Sequence, residues 1–88
     1  MSDLSERNLR DLGPQPLDGL LEKRGWNNHR LVEISTEHLT HKMVARGRKG
    51  RRLTKNVQMK ILEAVNAVLR EEGEEDSVNL TDLFSYRG

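Results

Sequence analysis

After Thr54, the residues Val57, Ile61, Ala64, Val65, Val68 and Leu69 fall at helical spacing and share one face of an α-helix. A helix with one such apolar face is marginal alone in water, so other elements must cover it. The cover has to be aliphatic, because Trp26, Phe84 and Tyr86 are the only aromatic residues in 88. No cysteine is present to staple a small core or form a thiolate metal site. No stretch alternates apolar and polar residues as a half-buried strand would. The expected fold is therefore all-α, a compact bundle of four or five helices in one domain.

Helix signals place the other elements. Pro16 can open a helix, since its missing N–H costs nothing in the first turn, and Leu17, Leu20 and Leu21 supply its face. Gly25 ends it. Asn27 or Asn28 can cap a second short helix carrying Leu31, Val32 and Ile34. Ser35 or Thr36 is then expected to cap a third, with Leu39, Met43 and Val44 as its stripe. Gly47 and Gly50 weaken the end of that helix, so Gly47 to Leu53 reads as a basic loop. Thr54 caps the long helix, which ends near Gly73. Residues 1–14 read as a flexible N-terminal segment and 15–70 as the helical domain. Residues 71–88 read as an acidic linker and a tail that turns apolar again at Val78, Leu80, Leu83, Phe84 and Tyr86. That tail is expected to dock on the core or on a partner.

Charge is organised more sharply than its total suggests. The net charge is +1, but residues 1–25 carry −1, residues 26–60 carry +7 and residues 61–88 carry −5. In ARGRKGRRLTKNVQ, Ala45 to Gln58, six of fourteen residues are Lys or Arg and none is acidic. A charge run is often only a solvated face. This one lacks acids at i±4, contains two glycines that admit close approach, and is rich in the arginine fork that suits phosphate and guanine edges. Phosphate is the expected partner, through counterion release. No apolar run approaches the roughly 20 residues that span a bilayer, and the polar start MSDLSERNLRDLG is not a signal peptide. These features lead to the expectation of a cytoplasmic protein with no membrane contact.

The stretch from Leu17 to Leu69 resembles the helical core of the phage-repressor-like (lambda-repressor-like) helix-turn-helix family, over about 53 of 88 residues. LLEKRGWNNHRLVEIS resembles the first helix, connection and second helix, with Leu31 at the family's buried leucine. LTHKMVARGRKG resembles the recognition helix and its exit, with Leu39 and Val44 at buried positions and Gly50 at the glycine that follows. TKNVQMKILEAVNAVL resembles the helix that closes the core. The resemblance implies a small transcriptional regulator that binds double-stranded DNA with its third helix in the major groove. It implies that Thr40, His41, Lys42 and Arg46 read bases. It implies that Asn28, Arg48, Lys49, Arg51, Arg52 and Lys55 hold phosphates. A homodimer on paired half-sites is compatible with it. This sequence departs from the family in its turn STEH, about two residues longer than usual, and in Arg48, where the family commonly has an acid.

Other readings compete. A basic face could meet an acidic protein partner. GRKG, residues 47 to 50, has the form of the loop with which KH domains clamp single-stranded nucleic acid, though KH domains need a sheet. His38 and His41 are three apart, and Glu33, Glu37 and His41 share a helix face, a pattern that could hold a metal but is more often a plain polar face. No nucleophile-and-base set suggests an enzyme, and no cofactor or small-molecule ligand is expected. Trp26 reads as a lid on the core, and Met43 and Met59 as filler. The acidic run EEGEED is either a solubilising linker or a competitor that lies on the basic patch.

Overall fold

The computed structural model describes residues 12–86, which form five helices and no extended strand. These are α1 (Pro16–Arg24), α2 (Asn28–Ile34), α3 (His41–Lys49), α4 (Lys55–Glu71) and α5 (Leu80–Leu83). The long α4 is the spine and packs against α2, α3 and α5; α1 covers α3 and α5. Its expected face, Ile61, Ala64, Val65, Val68 and Leu69, is buried, and Val57 is half-buried at its start. Leu17, Leu21, Leu31 and Val44 meet that face from the three preceding helices.

The caps explain where most helices begin and end. Pro16 opens α1 and Gly25 closes it in the left-handed region at φ 70°. The Asn27 side chain accepts from Arg30 N at 2.9 Å, and the Thr54 hydroxyl from Val57 N at 3.3 Å. Each satisfies an N–H that the first turn would leave orphaned.

The third helix starts four to five residues later than the sequence signals suggest. Its cap is Thr40, whose hydroxyl accepts from Met43 N at 3.2 Å. Ser35 instead closes a small turn by accepting from Glu37 N at 3.1 Å, and His38 sits in the left-handed region at φ 59°. This detour lets Leu39 enter the core from a non-helical position, 4% exposed. The same helix also ends later than expected. Gly47 lies inside it, and Gly50 at φ 97° is its cap. Glycine in a helix interior costs about 1 kcal/mol relative to alanine. Here it permits close packing: a Cβ on Gly47 would stand 3.1 Å from Leu53 Cδ1 and 3.3 Å from Ile61 Cδ1. GRKG is thus a final helical turn with its cap, rather than a loop between helices.

Both ends of the described chain are tied in. Leu12 N donates to Gly50 O at 2.8 Å and Gln15 N to Arg48 O at 3.3 Å, so residues 12–15 lie along the end of α3. The first eleven residues of the N-terminal segment expected to be flexible lie outside the described residues. At the other end, Leu83 is fully buried and Phe84 is 2% exposed. Asn66 holds the approach to α5 by donating to Val78 O and accepting from Val78 N, at 3.2 and 2.8 Å. The apolar tail therefore completes the core of its own chain.

Candidate functional site

α3 and the connection after it carry the densest positive charge. His41, Lys42, Arg46 and Lys49 are exposed on α3, with Thr40 exposed at its start. Arg51 and Arg52 are exposed in the connection, and Lys55 is exposed at the first residue of α4. Lys42, Arg46 and Lys49 follow at four and three residues, so they share one helical face. With Ala45 and Arg51 they line a shallow depression of about 260 Å³.

Among the described residues, Lys42, Arg46, Lys49, Arg51 and Lys55 have no ion-pair partner, whereas Arg24, Arg30 and Arg48 are each paired. Like charges at i and i+4, as at Lys42 and Arg46, destabilise a helix by roughly 0.2–0.5 kcal/mol. The cluster thus costs the fold something and gains it nothing. An anion in the depression would reverse that balance. The Thr40 hydroxyl keeps its proton to donate while its oxygen caps α3, and the first-turn N–H groups add partial positive charge beside it.

The ten residues expected to contact DNA fall into two sets. Eight belong to the exposed face just described. Asn28 and Arg48 belong instead to an internal brace. Arg48 Nε meets Asp18 Oδ1 at 2.6 Å, Nη1 donates to Asn28 Oδ1 at 2.9 Å, and Nη2 is 3.6 Å from Glu22. This half-buried guanidinium ties the end of α3 to both α1 and α2. It occupies the position where Arg48 departs from the resembled family. Asn28 keeps its amide N–H groups as donors, while its oxygen is committed to Arg48.

His41 is placed by a neighbour. Its ring stacks on His29 at 5.6 Å between centroids and 19° between planes, and His29 Nε2 is 3.8 Å from Glu33. The shared face of Glu33, Glu37 and His41 does not form, because the helix breaks between them: Glu33 is on α2, Glu37 in the turn and His41 on α3. No group of three acidic, histidine or cysteine side chains poised for a metal occurs among the described residues.

The acidic run lies elsewhere. Glu71 pairs with Arg30 at 2.6 Å and Glu74 with Arg24 at 3.2 Å, while Glu72 accepts from Trp26 Nε1 at 2.9 Å. The bond to Glu71 raises the Arg30 guanidinium above its ordinary value, against the opposing effect of desolvation. Trp26 is buried as expected and tethers the end of α4 besides. The 17 residues of α4 separate this cluster from Lys55 by about 25 Å at 1.5 Å per residue. In this conformation the acidic run does not cover the basic patch.

Sequence reasoning passed over three residues at the border of the site. Gln15, Ser85 and Tyr86 link the tail to the basic connection, and the only sequence signal for them is the apolar character of DLFSYRG. No described helix is long and apolar enough to cross a membrane. Fold and site together define a small, compact, all-helical domain with a cationic face on α3 and the connection after it. Comparison of the chain with protein-family models, curated proteins and solved structures finds no match.

Proposed function

We propose that the protein binds double-stranded DNA through the face formed by α3 and the connection to α4, as a small transcriptional regulator. The observation that carries this reading is the set of exposed cations, Lys42, Arg46, Lys49, Arg51 and Lys55, gathered on α3, the connection after it and the start of α4 and left without ion-pair partners among the described residues. The order of the helices, and the packing of α2 on α3, support the resemblance to the phage-repressor-like helix-turn-helix family. On this reading α3 enters the major groove by its N-terminal end. Thr40, His41 and Lys42 then meet base edges, and Arg46 meets a base or phosphate one turn on. Lys49, Arg51, Arg52 and Lys55 hold the backbone at the groove's border. A homodimer on two half-sites belongs to the same proposal.

The test is titration of labelled random duplex DNA at low and moderate salt, with single-stranded RNA in parallel. Duplex affinity should fall with salt at a logarithmic slope of about −0.9 per neutralised phosphate. Stronger binding to the single strand would replace this reading with single-strand recognition. No binding to either at low salt would leave an acidic protein as the partner of the basic face.

A further inference from the structure

The connection between α3 and α4 bears Arg51 and Arg52 but has only five residues, none in a helix. Something must hold it if two exposed arginines are to act together. Its neighbour is the end of the chain. The Tyr86 hydroxyl accepts from Leu53 N at 2.9 Å and donates to Arg51 O at 3.1 Å. One side-chain atom thus bridges two backbone groups on either side of Arg52. The Arg52 guanidinium lies over the Tyr86 ring, 5.2 Å from its centroid. Only a group that both donates and accepts can do this, and a phenol on a flat ring supplies a cation-binding face as well.

Tyr86 is itself fixed. Its ring packs against Phe84 at 5.6 Å, and Phe84 is part of the core. Between them, Ser85 donates from both N and Oγ to Gln15 Oε1, at 2.7 and 3.0 Å. Gln15 is 3% exposed and steadied by its own bond to Gly13 O at 3.0 Å. On the far side of the connection, Gln58 Nε2 holds Leu53 O at 2.9 Å. A run of bonded groups therefore reaches from the first helix, through the tail, to the basic connection.

We infer that Tyr86 is a positioning residue for the phosphate-gripping arginines: its hydroxyl clamps the backbone from Arg51 to Leu53 so that Arg51 and Arg52 present one geometry to a polyanion. The role rests on the DNA reading above, but the clamp can be tested apart from it. Tyr86→Phe keeps the ring and removes both bonds. In the full chain, amide exchange at Leu53 should quicken by about tenfold, the worth of one hydrogen bond. Affinity for random duplex DNA should fall about threefold to tenfold, with the salt slope shallower by up to about 0.9. In a background already carrying Arg51→Ala and Arg52→Ala, the same change should have no further effect on affinity. A purely structural tyrosine would still weaken binding there. Heparin affinity is measured alongside as a second polyanion.

Unchanged exchange at Leu53 overturns the clamp. Faster exchange with unaltered affinity for both polyanions overturns its role in presenting the arginines. A full loss in the arginine-free background does the same. If the wild-type chain binds heparin but no duplex, the DNA reading fails, while a heparin affinity lowered by Tyr86→Phe still supports the clamp. A wild-type chain that binds neither polyanion overturns both.

Discussion

The two ends of α4 treat charge in opposite ways. At its C-terminal end, Glu71, Glu72 and Glu74 are matched to Arg30, Trp26 and Arg24, and these contacts tie the end of α4 to the first two helices. Toward its N-terminal end, Lys55 is exposed, and Lys42, Arg46, Lys49 and Arg51 line one depression; none of the five forms an ion pair among the described residues. Within one small domain, paired charge belongs to architecture and unpaired charge faces outward. Arg48 sharpens the contrast. It lies inside the basic segment in sequence, yet Asp18 and Asn28 draw it to the architectural side. Basicity in a sequence therefore overstates the surface available to a partner by the number of cations the fold consumes.

The largest effect is expected where the tail meets the core. Phe84→Ala should cost about 3–5 kcal/mol in denaturant unfolding, because it empties a buried site that only the tail fills. A loss under about 1 kcal/mol would mean the tail is a dispensable strap. The consequence for truncation is direct: deletion of residues 71–88 removes core, so it cannot report on competition by the acidic run.

Next comes the division within the basic segment. Arg48→Ala should destabilise by about 1–3 kcal/mol, since it strips a half-buried charged bond from Asp18 and leaves that carboxylate with no partner. Arg46→Ala should leave stability within about 0.5 kcal/mol of wild type while lowering duplex affinity and flattening the salt slope by about 0.9. Equal effects of the two changes on both measurements would erase the distinction between paired and unpaired cations. His41→Ala should act differently again, altering which sites are selected from a randomised duplex pool with little change in the salt slope.

The smallest effect concerns the clamp. Burial raises the Tyr86 phenol above 10.0, against the opposing influence of Leu53 N–H and Arg52. The folded chain then keeps that proton at a pH where the unfolded chain has lost it. Stability from this group is present below about pH 10 and is lost as pH rises through the folded value. Tyr86 is the chain's one tyrosine, so its ultraviolet titration reads the shift without overlap from another phenol. A midpoint at or below that of free tyrosine would argue against the buried, bonded hydroxyl.

The helices that declare themselves through local chemistry are legible in the sequence. Pro16, Gly25, Asn27 and Thr54 act where the signals place them, and the face of α4 is the buried one. The start of α3 is not legible, because Leu39 sits at helical spacing from Met43 while entering the core from a turn. Only the left-handed His38 and the extended residues after it reveal that, and nothing in the letters STEHLT favours it over a longer helix. Gly47 misleads in the same way, since a glycine that reads as a breaker serves as a packing surface. For the site, the exposed cations can be named from sequence alone. Their separation from Arg48 cannot, because Asp18 lies 30 residues away and only the fold brings it near.

The route from α4 to α5 has a practical use. Glu74 N is fixed to Leu69 O, and Val78 is held at both its backbone groups by Asn66. Between these anchors, Glu75, Asp76 and Ser77 are exposed, and their side chains make no hydrogen bond or ion pair among the described residues. A reporter peptide or epitope inserted there would lengthen a span already pinned at each side, and each doubling of such a loop costs only about 0.6 kcal/mol. Its place beyond the acidic end of α4, remote from Lys55, makes it an attachment point for fluorophores and affinity handles that leaves the cationic face uncovered.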